Sequence, residues 1–254
     1  MASIPLIPSR VILNCDCGEG VTDDASILAH VTAANIACGG HAGDADSMRA
    51  TLRLCRQHGV SPGAHPSYPD RVYFGRRVLP MAPDAVTACV REQIQALSAI
   101  AAQEGMTLTH VKPHGALYNQ AAACREIADA IVRAIVAHDP SLALIGLAGS
   151  ALVAAGEAAG LRVLREAFAD RAYERDGSLR ARDYPDALIE DDARCLAQAE
   201  DIVLRGQVTT HDGARIPLCA DTLCIHSDTP GAARRAAFLR RGLLQAGVAL
   251  IGLQ

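Results

Sequence analysis

Seven short apolar runs, none longer than nine residues, alternate along this chain with longer stretches of helical periodicity. The runs cover 11–17, 32–38, 60–65, 108–114, 142–149, 161–169 and 222–228. Runs this short and apolar suit buried parallel strands, which are covered on both faces. Asp44 is placed to cap a helix over 45–58 that stops at Gly59. Pro83 suits the first turn of a helix over 84–104 that stops at Gly105. The stretches 122–138, 150–159, 191–205 and 231–246 carry the same pattern. Segment 206–218 reads as a β-hairpin turning at Asp212-Gly213, and the polar loop 169–177 is long enough to cover a site. This alternation leaves two architectures, a parallel β/α barrel or an open doubly wound sheet.

Residue parity chooses between them. If the runs are strands, Asn14 and Asp16 share a face opposite Leu13, Cys15 and Cys17. Asn35 likewise opposes Ile36 and Cys38, and His110, Lys112 and His114 oppose Thr109 and Val111. Cys224, His226 and Asp228 oppose Leu223 and Ile225. An open sheet covered by helices would be apolar on both faces. In a barrel the polar faces converge on one lumen near the C-terminal strand ends. A length of 254 residues fits one such barrel, so a single domain over 1–254 is expected.

Composition narrows the classes. A formal net charge of −4 argues against a nucleic-acid surface. No stretch approaches the ~18 apolar residues of a membrane span. The opening MASIPLIPSR lacks the basic and apolar regions of a signal peptide. Most of the nine cysteines, among them Cys38, Cys55, Cys89, Cys124 and Cys195, sit in apolar runs. That is the pattern of small core residues in a reducing cytoplasm. Cys15-x-Cys17 lacks zinc-site spacing. Of 24 basic residues only Lys112 is a lysine, which points to a need for a compact, titratable ammonium.

Four polar clusters stand where strands become loops: NCDCGEG (14–20), NIACGGHAGD (35–44), GAHPSYPD (63–70) and VKPHGALYN (111–119). Together they suggest one shared site. Asp16 and Glu19 could supply a general base, although Glu19 could instead cap the next helix. Lys112 can stabilise an oxyanion or a phosphate, and His114 can shuttle a proton. Asp16, His41 and His65 could hold a metal, with hydrogen bonding to substrate as the milder alternative. His30, His58, His138 and His211 read as surface residues. The chain has no G-x-x-x-x-G-K-[ST] loop, no G-x-G-x-x-G after the first strand and no G-x-S-x-G elbow.

The strings LNCDCGEG, ANIACGGHAGD, GAHPSYPD with FGRR, HVKPHGALYN, GLAGSAL, EAFADRAY and ADTLCIHSDTPGA run in order over 11–246. Together they resemble the LamB/YcsF family, identified with the A subunit of bacterial 5-oxoprolinase. The resemblance implies a distorted seven-stranded β/α barrel of the glycoside hydrolase/deacetylase kind. It implies ATP-dependent opening of the 5-oxoproline lactam to L-glutamate, with partner subunits B and C. ATP, with Mg2+, would bind at a site the sequence does not locate, on this chain or on a partner. The chain departs from the family pattern at two places beside the site. Only Val21 and Thr22 stand between GEG and the aspartates 23–24, where relatives carry a longer aromatic stretch, and Gly40 stands where Phe is common.

A lactam is a poor electrophile, so its carbonyl must be activated and its nitrogen protonated. On this reading Asp16 or Glu19 activates water, Lys112 stabilises the negative oxygen or phosphoryl group, and His114 handles the nitrogen proton. Asn35, His41, Asp44 and His65 would bind the ring or its carboxylate. The alternatives are a metal-dependent, deacetylase-like hydrolase acting alone on a small amide, and a non-catalytic subunit that carries a small acid.

Overall fold

The computed structural model describes residues 9–20, 24–225 and 231–253. The expectations for Val21, Thr22, His226 and Asp228 lie outside the described residues. In chain order the elements are β1 (Arg10–Cys17), α1 (Asp24–Leu28), β2 (Ala33–Ala37), α2 (Ala45–His58), β3 (Ser61–His65), α3 (Pro83–Gln103), β4 (His110–Val111), α4 (Gly115–Ala123), α5 (Arg125–His138), β5 (Ala143–Leu147), α6 (Ala151–Ala158), β6 (Val163–Phe168), α7 (Asp192–Arg205), β7 (Gln207–Thr209), β8 (Arg215–Pro217), β9 (Thr222–Ile225), α8 (Ala232–Gln245) and β10 (Ala249–Leu250).

Strands β1 to β6 pair in sequence order, β6 pairs β9, and β9 returns to β1, every pairing parallel. The result is the seven-stranded barrel that parity selected. The hairpin is also present, as antiparallel β7 and β8. β10 adds a short parallel pairing at the start of β1.

Outward-facing strand residues such as Leu13, Cys15, Ile36, Ala64, Val111 and Leu223 pack under the helices in one large core. Inward-facing residues divide by height. At the N-terminal end of the bore, Ile12, Ala33, Ala143, Ile145, Leu164 and Leu253 form a separate apolar cluster. Ser61 ties Leu253 in place: its hydroxyl donates to the Leu253 carbonyl at 3.0 Å and accepts from the Leu253 amide at 2.9 Å. Two residues further along β1, β2 and β6 the lumen turns polar, at Asn14, Asn35 and Glu166, and that change of layer creates the site.

The helices follow their capping signals. Asp44 makes a capping box with Ser47 at the head of α2, and Gly59 ends that helix with φ 67°. Two expectations need correction. The stretch 122–138 is not one helix: Cys124, at φ −114° and ψ 111°, separates α4 from α5. The run 108–114 pairs as a strand only at His110–Val111. The Lys112 and His114 amides still donate to the Ala64 and Pro66 carbonyls, at 2.9 and 2.8 Å, so the chain stays extended past Pro113, which has no amide hydrogen to donate.

Gly63 on β3 marks a tight place in the lumen. A Cβ there would lie 2.2 Å from His110 Nε2, and His110 is fully buried. We expect Gly63→Ala to destabilise the fold by ~1–3 kcal/mol through overpacking. Urea unfolding will measure this, and an unchanged midpoint would show that His110 can move aside.

Candidate active site

The polar layer of the bore is built around Lys112. Its ammonium, 3% exposed, lies 3.0 Å from Asp16 Oδ1 and 2.9 Å from Glu166 Oε1, and 3.1 Å from Cys224 Sγ. Burial works against this charge, but the carboxylates outweigh burial and hold Lys112 well above the usual lysine range. The carboxylates are themselves satisfied. Glu166 accepts from Asn14 Nδ2 at 3.0 Å and from the Tyr118 hydroxyl at 2.7 Å. Asp16 accepts from Asn35 Nδ2 at 2.8 Å. For Asp16, burial pushes upward, yet His65 and Lys112 hold the carboxyl well below its ordinary range. Beneath this triad His110 Nε2 meets Asn35 Oδ1 at 2.9 Å. Burial, with Lys112 nearby, pulls His110 down to about 3, so it stays neutral.

Beside the ammonium stands a wall of imidazoles. His65 Nδ1 donates to the Lys112 carbonyl at 2.7 Å, and His114 Nε2 donates to the Phe74 carbonyl at 3.0 Å. The remaining nitrogens of these rings, His65 Nε2 and His114 Nδ1, face each other at 2.9 Å. His41 stacks on His114 with ring centroids 3.7 Å apart. Glu19 Oε1 lies 2.9 Å from His41 Nε2, 3.4 Å from His114 Nδ1 and 3.8 Å from His65 Nε2. Phe74, whose carbonyl fixes His114, is the one non-glycine residue with positive φ among the described residues, at 54°. A bulky side chain in the left-handed region carries strain, which the surrounding contacts must hold.

These groups open onto a pocket of about 840 Å³ at the C-terminal rim, where barrel active sites lie. Asp16, Glu19, His65, Lys112 and His114 line it, with Arg76, Tyr118, Arg171 and Arg182 around the wall. The loop expected over 169–177 does reach the site, and its lining part continues to Asp183.

Three residues expected to bind substrate lie elsewhere. Asn35 stands one layer below the floor, bonded to Asn14 and Asp16. His41 is behind His114 and does not line the pocket. Asp44 is exposed and occupied as the α2 cap, where two backbone amides consume its side chain. The expected Asp16, His41 and His65 metal group is replaced by a tighter one. Glu19, His41, His65 and His114 present ligand atoms all within 4.8 Å of one another. At Gly40, a Cβ would lie 2.4 Å from Gln93 Oε1, so that amide fills the space an aromatic side chain would take. Sequence reading missed Asn14 as a network member and Glu166 and Tyr118 altogether. The available signal for Glu166 was its parity with Leu164 and Phe168 in β6.

Comparison with known proteins gives a consistent result. The family model described as LamB/YcsF family matches residues 11–254. The chain is 60% identical over 241 residues to the A subunit of 5-oxoprolinase from Chloroflexus aggregans, covering 93% of this chain and 96% of that protein. It superposes with TM-score 0.91 and 44% identity on the crystal structure of a lactam utilization protein from Thermus thermophilus, covering 96% of this chain and all of the other. A peptidoglycan N-acetylglucosamine deacetylase domain from Eubacterium rectale matches with TM-score 0.50 at 10% identity, over 100% of this chain and 92% of that one, a likeness of fold alone.

The neutral burial of His110 sets a pH dependence. Between its folded value of about 3 and the ordinary 6.5, the unfolded chain binds a proton that the folded chain does not. Stability therefore falls as pH drops through this window, by up to ~1.4 kcal/mol per pH unit from this group. Urea midpoints between pH 7 and pH 4 should decline, and His110→Gln should remove about one proton's worth of the slope. An identical slope in that variant would remove His110 as the source.

Proposed function

The chain belongs to the LamB/YcsF family, and from that footing we propose that it is the lactam-opening component of a 5-oxoprolinase, converting 5-oxoproline to L-glutamate with ATP and two partner subunits. The observation that carries this reading is the Lys112 ammonium, buried between Asp16 and Glu166 at the floor of the rim pocket. A fixed, buried positive charge is what an amide oxygen needs as it gains negative charge.

ATP enters this reading as the phosphoryl donor. Phosphorylation of the lactam oxygen makes the ring carbon an electrophile. Water adds to that carbon, the C–N bond opens as the nitrogen takes a proton, and a second water releases the phosphate. Lys112 faces the oxygen or its phosphoryl group. Asp16, held ionised, is a weak proton acceptor and acts better by orienting water than by taking its proton. Its Oδ2 lies 3.4 Å from His65 Nε2, so water held there faces the Glu19 and imidazole wall, which takes the proton. Arg76 and Arg182 give the pocket positive charge suited to the substrate carboxylate or a phosphoryl group. Loop 176–183 lines the pocket.

Glutamate release from 5-oxoproline should require ATP and all three chains. Lys112→Ala should lower turnover of the reconstituted complex ~100–1000-fold, with the fold checked by circular dichroism. Lys112→Arg should lose nearly as much, because a planar guanidinium does not fit the place of a compact ammonium. Full activity in Lys112→Ala would remove the ammonium from the mechanism, and turnover by this chain alone without ATP would overturn the three-subunit reading.

A further inference from the structure

The imidazole wall contains an electrostatic conflict that the lactam reading does not resolve. A backbone carbonyl can only accept. His65 Nδ1 and His114 Nε2 therefore both carry hydrogens, because each is bonded to one. In neutral rings His65 Nε2 and His114 Nδ1 are then bare lone pairs, yet they point at each other across 2.9 Å. Two carboxyl groups add to the crowd. Glu19 Oε1 is 3.4 Å from His114 Nδ1, and Asp16 Oδ2 is 3.4 Å from His65 Nε2. Acceptors packed this closely repel unless a positive centre lies among them. A single proton can bridge only one pair of these acceptors, whereas the ligand atoms of Glu19, His65 and His114 all lie within 4.8 Å of one another. Lys112 does not fill the role, since its ammonium is spent on Asp16 and Glu166.

We infer that His65 Nε2, His114 Nδ1 and Glu19 Oε1 form a binding site for one first-row divalent cation, with Asp16 facing its open side. The separations of 2.9 Å between the two nitrogens and 3.4 Å from Glu19 Oε1 to His114 Nδ1 match such a site, and the third, 3.8 Å from Glu19 Oε1 to His65 Nε2, spans a wider angle at the ion. Donors ~2.1 Å from a common ion stand ~3.0 Å apart at right angles and ~3.4 Å apart in a tetrahedron. The hydrogen bonds that create the conflict are also those that aim imidazoles at a metal: each ring donates its far N–H to a carbonyl, which fixes its tautomer and direction. His41, bonded to Glu19 at 2.9 Å and stacked on His114, braces two of the three ligands. Phe74 holds its strained backbone where the carbonyl that orients His114 must be. Two nitrogens and a carboxylate favour Zn2+ and its neighbours over Mg2+. A cation here would lower the pKa of water on the side that Asp16 faces. The site goes beyond the lactam reading and stands without it.

The test uses the full chain after chelator treatment and needs no turnover. Titration with Co2+ should give one ion per chain with visible d–d absorption. Zn2+ should displace it, and Mg2+ at the same concentration should not. His114→Ala and Glu19→Gln should each weaken Co2+ ~100-fold or more, while His58→Ala, at an exposed position, should leave it unchanged. If His114→Ala does not fold, 15N spectra of the wild-type histidines provide the check, with Zn2+ shifting His65 Nε2 and His114 Nδ1. Absence of binding, spectra that Zn2+ leaves unchanged, or affinity equal in all variants would overturn the site. Because no readout involves 5-oxoproline, failure here would leave the lactam reading standing, and success would not depend on it.

Discussion

A charged amine inside a barrel is costly, and most of the polar architecture of this protein follows from placing one there. Lys112 needs Asp16 on one side and Glu166 on the other. Each carboxylate then needs donors of its own, which come from Asn35, Asn14 and Tyr118. Asn35 in turn faces His110, and His110 needs the space that only a glycine at position 63 leaves. The chain of requirements crosses from β4 to β1, β2, β3 and β6. Removing one partner from such a network strands another buried polar group, which is why the set holds together as a unit.

The same logic places chemistry at one end of the bore. Below the network the inward residues are small or aliphatic, and they pack without polar partners. Above it, β1, β3 and the segment after β4 run out into loops rich in glycine and proline, where backbone and imidazole can approach closely. Strands β1 and β3 and the extended segment after β4 therefore aim Asp16, His65 and Lys112, while the loops contribute Glu19, Phe74 and Arg182.

Much of this was legible in the sequence because strand parity is a local rule. Asp16 and Lys112 were found from it, His65 from its place in a polar cluster at a strand end, and the barrel was chosen over an open sheet because several strands each carried a polar face. The solitary lysine was a second local clue. Glu166 escaped because its run, LRVLREAFA, reads as an apolar strand with scattered charge, and only its alignment with Leu164 and Phe168 betrays an inward carboxylate. Asp44 was offered two roles and its short-range one prevailed, since a capping box needs only four consecutive residues. The imidazole wall could not be read at all. It depends on a carbonyl at residue 74 meeting a ring at residue 114, and on a left-handed turn at Phe74 that nothing in its side chain favours.

The plug of Ile12, Ile145, Leu164 and Leu253 has a further consequence for traffic. Among the described residues it closes the N-terminal end of the bore and leaves the rim as the doorway. Whatever reaches Lys112 arrives through the rim near Arg76 and Arg182, and whatever is made there leaves by the same opening. Arrival and departure must therefore alternate, and any companion protein that delivers cargo to this chamber has to stand at the threshold through which the finished molecule escapes.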